Sequence, residues 1–186
     1  MATADAKLIT VEEFLALPDD GVDRMLVDGV VWELGMTMRR WLHAAVQANV
    51  TLLLNHWVKQ QPQPRGRVVD GDAGFRLATG TMVGIDVAYV SAGLAAATPE
   101  SQAYFDGSPT LAVEVLSPSD RLENVDRKVE TYLEAGVPLV WVVHPRARTI
   151  TVYRPDALPK MFTVEDEIAG EGLLPGFRAA VSDVFD

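Results

Sequence analysis

The sequence predicts an α/β (α+β) fold: a mixed β-sheet core flanked by helices, with an N-terminal β-hairpin and a long helix. Three observations carry that expectation. Apolar residues recur at helical spacing over 39–59 and again over 122–135. An Asp28–Gly29 pair separates two short apolar runs, the strongest short-range hairpin signal. Between and after the helical stretches lie several β-rich runs, two of them almost wholly apolar, as strands covered on both faces are. With 186 residues and no internal repeat or linker, the chain reads as a single domain over 1–186.

The elements follow in order. Thr10 and Glu13 have capping-box spacing, so a helix opens at Thr10, and the breakers Pro18 to Gly21 end it. RMLV and VVWEL form the hairpin arms. In the long helix, Leu42, Val46, Val50, Leu53 and Trp57 make the apolar stripe. RVVD, GFRLA and MVGIDVAYV read as strands, the last preceded by a turn at Thr79–Gly80. Residues 91–109 read as a loop with short helical content. LAVEVL (111–116) is a buried strand, and Ser117-Pro118-Ser119-Asp120 breaks it and offers a helix cap. The helix over 122–135 carries Leu122, Val125, Val129, Tyr132 and Leu133 and stops at Gly136. Residues 139–143 form another buried strand, 149–153 an outer strand, and the remainder short strands and a loose tail.

Composition limits the chemistry. There is no cysteine, which excludes disulfides, thiolate metal sites and cysteine nucleophiles. The glycines form no phosphate-cradling pattern, so a nucleotide-binding loop is disfavoured. The N-terminal residues lack a basic segment followed by an apolar core, and no run of about 18 apolar residues is present, so no membrane association and a cytoplasmic location are expected. The net charge is −10, but residues 37–159 balance at zero and the acidity belongs to the two ends. Arg39–Arg40, Arg65 with Arg67, Arg127–Lys128, and Arg146 with Arg148 are local basic points that either line a groove or are scattered solvated side chains.

Two carboxylates sit where carboxylates are costly. Asp86 lies inside MVGIDVAYV and Glu114 at the centre of LAVEVL. A buried ionised carboxylate needs a cation, a hydrogen-bond network or a metal. Two of them on neighbouring strands would hold a hard divalent cation, Mg²⁺ or Mn²⁺, through oxygen. Lys128 flanks the buried stripe of the following helix, which brings it near Glu114 if that helix packs back on its strand. Asp, Glu and Lys around one divalent ion suit phosphodiester hydrolysis, with the metal activating water and the lysine orienting it or offsetting negative charge. The alternative is a structural Glu114–Lys128 ion pair with Asp86 stabilising a turn. His43, four residues before Gln47, is either a satisfied structural histidine or approaches the metal cleft or a phosphate, and Tyr132 is either core or a hydrogen-bond partner of a site carboxylate.

LAVEVLSPSD, then DRK, then YLEAGVPLVWVVHP and TITVY, with VDG at 27–29 and LLPGFRAAVSDVFD, resemble the bacterial Uma-type endonuclease family of the PD-(D/E)XK restriction-endonuclease-like superfamily. The resemblance runs from Thr10 to Phe185. It implies a restriction-endonuclease-like domain, a metal site from Asp86 and Glu114, and Lys128 as the catalytic lysine carried on the helix. His43 falls where the family has a histidine. The Val115 carbonyl is expected to complete the metal shell. The implied activity is divalent-metal-dependent cleavage of DNA or another phosphodiester by a homodimer. The sequence departs from the family at Ile85 (usually proline), at His144 (usually aspartate) and at Met25 (usually glutamate), for which Glu33 is the local candidate substitute. Met25 and Ile85 favour a competing expectation, a catalytically degenerate scaffold acting as a homo-oligomeric binding or interaction module.

Overall fold

A computed structural model describes residues 8–18, 24–33, 41–77, 81–118 and 120–186. The expected breakers Asp19 to Gly21, the Arg39–Arg40 pair and the Thr79–Gly80 turn lie outside the described residues. Helix α1 (Val11–Leu15) starts where expected: Thr10 accepts the Glu13 N–H and the Glu13 carboxylate accepts the Thr10 N–H, a complete capping box. Strands β1 (Arg24–Val27) and β2 (Val30–Glu33) form the hairpin. Both turn residues have positive φ, 49° at Asp28 and 77° at Gly29, the requirement of a two-residue turn that follows the strands' twist.

Helix α2 (Trp41–Gln60) turns a slightly different face inward than the stripe suggests. Leu54, not Leu53, is fully buried, and His43 and Gln47 are buried beside Val46 and Val50. RVVD and GFRLA are parts of one strand, β3 (Arg67–Arg76), antiparallel to β4 (Met82–Val90). Asp70 pairs Val87 and Ala73 pairs Ile85, so Gly71 and Asp72 bulge opposite Asp86. Helix α3 (Ala92–Ala97) and β5 (Phe105–Asp106) fill the expected loop.

Strand β6 (Leu111–Val115) is central, antiparallel to β4 and parallel to β7 (Val140–His144), and every residue of it is buried. Helix α4 (Leu122–Glu134) makes the crossover between them and ends at Gly136, φ 83°. Its cap differs from expectation. Arg121 is the N-cap without a side-chain bond, and Asp120 instead accepts the Ser117 N–H at 2.6 Å, closing the loop before the helix. Leu122 is 74% exposed and leaves the stripe.

Strands β8 (Thr149–Tyr153) and β9 (Lys160–Thr163) extend the sheet, so β9 rather than β8 is outermost. The main sheet runs β2-β1-β4-β6-β7-β8-β9, with β3 and β5 branching from β4. One face packs on α2 through Val113, Trp141 and Ile150, the other on α4 through Ala112, Val140 and Val142. This double cover explains why β6 and β7 read as continuous apolar runs. The tail is not loose. Strands β10 (Glu167–Ala169) and β11 (Arg178–Ala180) pair, a short 3₁₀ turn follows at Val181–Val184, and Ile168, Phe177, Val181 and Val184 join the α2-side core. Trp57 Nε1 donates to the Pro175 carbonyl at 2.8 Å, tying that segment to α2.

Candidate functional site

Asp86 sits where β4 loses its regular alternation. Ile85 belongs to the α4-side core and Val87, two residues on, to the α2-side core. The break coincides with the β3 bulge, a device that re-aims a side chain. On the other side of β4, pairing with β6 stops at Val87–Val113. Beyond that point the Asp86 carboxylate takes over from the backbone, and its Oδ2 accepts the Val115 N–H at 2.7 Å. The freed Asp86 carbonyl accepts Gln47 Nε2 at 2.9 Å. In an extended strand the N–H and C=O of one residue point to the same side, which turns the Val115 carbonyl toward the Asp86 edge of β6.

Glu114 follows the alternation of β6. It lies between the α2-facing Val113 and Val115, so it faces α4. Two α4 residues one turn apart meet it: Lys128 Nζ donates to Oε2 at 2.7 Å and the Tyr132 hydroxyl donates to Oε1 at 2.6 Å. Asp86 and Glu114 are 7% and 5% exposed, so both charges are removed from bulk water. His43 Nε2 stands 3.5 Å from Asp86 Oδ1 at the start of α2, and among the described residues neither ring nitrogen has a partner at closer hydrogen-bond geometry.

Burial penalises both carboxylates, with opposite outcomes. At Asp86 the penalty is outweighed by His43, by the Val115 N–H and by Lys128 at longer range, and the carboxyl is held below its ordinary value. At Glu114 burial wins. Lys128 and Tyr132 oppose it, the Asp86 charge adds to it, and the carboxyl is pushed up. The Asp86 charge is felt at Glu114, and Lys128 is felt by both carboxylates.

The donor set suits a hard cation. Two buried carboxylates and a strand carbonyl are oxygen ligands, and Mg²⁺ is commonly held by one or two carboxylates with the remaining positions left to water and phosphate. Among the described residues no group of three or more His, Asp or Glu side chains is placed to hold a metal ion, so an ion here would rest on two carboxylates and a backbone carbonyl.

The expected residues thus converge: Asp86, Glu114, Lys128, His43, Tyr132 and the Val115 backbone meet around one end of the β4–β6 junction. Gln47 was missed as a site residue, although its place one helical turn after His43 was a usable signal. Glu33 does not join. It is bonded to Arg24 Nε at 3.2 Å on the exposed face of the hairpin. Met25 is buried in the α4-side core. Among the described residues the basic points do not form one groove: Arg65 donates to the Lys59 carbonyl, Arg127 lies over the Trp32 ring and Arg148 pairs with Asp186. Arg146 is the exception, because it borders a cleft of about 780 Å³ that His43 shares with the carboxylate site.

A family model described as "putative restriction endonuclease" matches residues 11–182. The chain belongs to the Uma2 family. The Uma2 fold is also seen in a crystal structure of a "putative nuclease belonging to DUF820" from Anabaena variabilis ATCC 29413, with TM-score 0.79, 21% identity, and coverage of 95% of this chain and 97% of that chain. Among curated proteins no relative matches. The Uma2 description supports a nuclease, and the structural likeness supports the mixed α+β fold. No described helix is long and apolar enough to cross a membrane.

Proposed function

We propose that this Uma2 chain is a divalent-metal-dependent endonuclease that hydrolyses phosphodiester bonds of DNA in the cytoplasm. Asp86, Glu114 and the Val115 carbonyl hold the ion, and Lys128 is the catalytic lysine. The single observation that carries the reading is the 2.7 Å contact of Lys128 with Glu114, one register step from the last β4–β6 pair and therefore beside Asp86. The Glu114–Lys128 ion pair alone leaves the Asp86 charge adding to the cost of Glu114, a cost that a cation held by both carboxylates would relieve.

Mg²⁺ or Mn²⁺ bound there supplies Lewis-acid charge to the phosphodiester. The chain's own residues do the rest. The Val115 N–H and Gln47 fix the Asp86 side chain and its backbone, so the carboxylate needs no reorganisation when substrate arrives. Tyr132 holds one oxygen of Glu114. Lys128, 21% exposed at its side chain, reaches from Glu114 toward solvent, where its ammonium orients the attacking water and offsets charge growing on the phosphate oxygens. Water adds to phosphorus and gives up a proton to solvent, the bond to the leaving oxygen breaks, and that oxygen takes up a proton from solvent. His43 stands on the Asp86 side as an accessory group.

The test is nicking of supercoiled plasmid with Mg²⁺ or Mn²⁺. Glu114→Gln and Lys128→Ala should each lose at least about 100-fold in rate while keeping the wild-type circular dichroism spectrum, the scale of removing a preorganised charged group. Both variants cleaving like wild type would overturn the reading. A second reading, a non-catalytic homodimeric module on the same fold, is favoured by the apolar Met25 in the position of a family carboxylate. It is supported instead if wild type binds no Mn²⁺ at millimolar concentration.

A further inference from the structure

We propose that the cleft beside the carboxylate site receives an unpaired nucleobase stacked on Trp41, so that the substrate of this site is single-stranded or locally melted nucleic acid. The inference rests on the phosphodiester reading above.

The cleft is formed where three chain segments end together. Leu116 to Pro118 follow β6, His144 to Arg146 close β7, and Trp41 to His43 begin α2. In open α/β sheets ligands bind outside the carboxyl ends of parallel strands, and β6 and β7 are the parallel pair here. The volume, about 780 Å³, is within the range of small-molecule clefts. His43 connects cleft to site, because the same ring lines the cleft and stands 3.5 Å from Asp86. A nucleotide in the cleft therefore lies next to the phosphodiester to be cut.

The walls match a nucleotide. Trp41 is 79% exposed, and none of the ring contacts among the described residues involves it. An indole left open to water at the rim of a cleft with both apolar and polar walls offers a stacking platform, and any base has a face that fits it. Leu122, 74% exposed, is a second apolar surface on the same cleft. The polar groups are donors. Arg146 is exposed and has no carboxylate partner among the described residues. His144 Nδ1 accepts the Ala147 N–H at 3.1 Å, which puts the neutral ring's proton on Nε2 as an outward donor. The cleft's carboxylate, Asp120, is turned onto the Ser117 N–H.

Charge selects between single and double strands. The chain carries −10 overall, and among the described residues Arg65, Arg127 and Arg148 are engaged apart from the cleft, so the described surface shows no long cationic track of the kind that holds a duplex by its phosphates. Affinity must come from stacking and a few local donors. A paired base cannot present its face to Trp41 without leaving the duplex.

The experiment is fluorescence anisotropy with a labelled oligothymidine of about 12 nucleotides and with the matching duplex, in Ca²⁺, on wild type, Trp41→Ala, Trp41→Phe and Arg146→Ala. The single strand should bind at least about 10-fold tighter than the duplex, and Trp41→Ala should lose about 10-fold, the scale of one stacked base. Trp41→Phe should keep most of the affinity yet lose the quenching of intrinsic fluorescence that wild type shows. Arg146→Ala should weaken binding and flatten its shallow salt dependence further. Equal binding by Trp41→Ala and wild type would overturn the proposal, as would tighter binding of duplex. So would a changed oligomeric state of Trp41→Ala with unchanged binding, which would assign the ring to an interface between copies. Stacking that survives in a protein unable to cleave would leave this inference standing and sink the hydrolase reading alone.

Discussion

The Asp86 carboxylate accepts the Val115 backbone N–H at 2.7 Å, at the position where the β4–β6 ladder ends. A side chain thus completes a backbone ladder, and the same residue becomes both a structural cap of the sheet and a proposed ligand. The two roles are separable. Asn keeps an oxygen for the Val115 N–H, whereas Ala leaves a buried donor unmet, at a cost of about 1–3 kcal/mol. Urea unfolding of the metal-free protein should therefore rank Asp86→Ala clearly below Asp86→Asn, while both lose metal-dependent activity. Equal stability of the two would remove the capping role.

The opposed environments of the two carboxylates make a pH prediction. Asp86 is held down, so its charge contributes stability above the ordinary Asp value of about 4, lost as pH falls through its lower folded value. Glu114 is pushed up, so its burial costs nothing below the ordinary Glu value of about 4 and subtracts stability as pH rises toward its folded value. With chelator present, Glu114→Gln should gain on wild type as pH rises toward neutral, whereas Asp86→Asn should fall behind wild type as pH rises through the acid range and draw level again as pH falls. Parallel stability–pH curves for wild type and both variants would contradict these environments.

Tyr132 is fully buried, and its hydroxyl ends on Glu114 Oε1 at 2.6 Å. Tyr132→Phe keeps the packing and removes that donor. Leaving a buried carboxylate oxygen without it should cost about 1–3 kcal/mol in the metal-free protein. Because the hydroxyl opposes the upward push on Glu114, its loss should also move the onset of Mn²⁺ binding to higher pH. Unchanged stability and unchanged pH onset together would show that the contact matters to neither.

Helix α2 shows how far sequence pattern reaches. Spacings of three and four identify the helix and Val46, Val50 and Trp57 as its inner residues. They do not decide between Leu53 and Leu54, which both satisfy the period. The structure buries Leu54 fully because His43 and Gln47, polar residues serving Asp86, are turned inward on that side. Leu54→Ala should cost about 2–5 kcal/mol by thermal or urea unfolding, and Leu53→Ala distinctly less. The reverse order would contradict the face assigned here.

The same contrast runs through the molecule. The Thr10–Glu13 box, the Asp28–Gly29 turn and the Gly136 stop are local and were legible, because each depends on residues within one turn of chain. Glu114 and Lys128 were legible because a carboxylate inside an apolar strand demands a partner, and the strand–helix connection limits where that partner is. The β3 bulge, the Gln47 bond and the burial of the C-terminal segment were not. They depend on pairings distant in sequence, such as Asp70 with Val87 or Trp57 with Pro175, which no local pattern encodes. The Ser117-Pro118-Ser119-Asp120 segment offers a helix cap by sequence, but Asp120 closes its own loop, since the Ser117 N–H competes for its oxygen.

The most direct test of the central claim is calorimetric titration of Mn²⁺ into chelator-treated protein. Wild type should bind one ion per chain, Asp86→Asn and Glu114→Gln should each lose at least about 10-fold in affinity, and Lys128→Ala should still bind. No binding to wild type at millimolar Mn²⁺, or undiminished binding to both carboxylate variants, would contradict it.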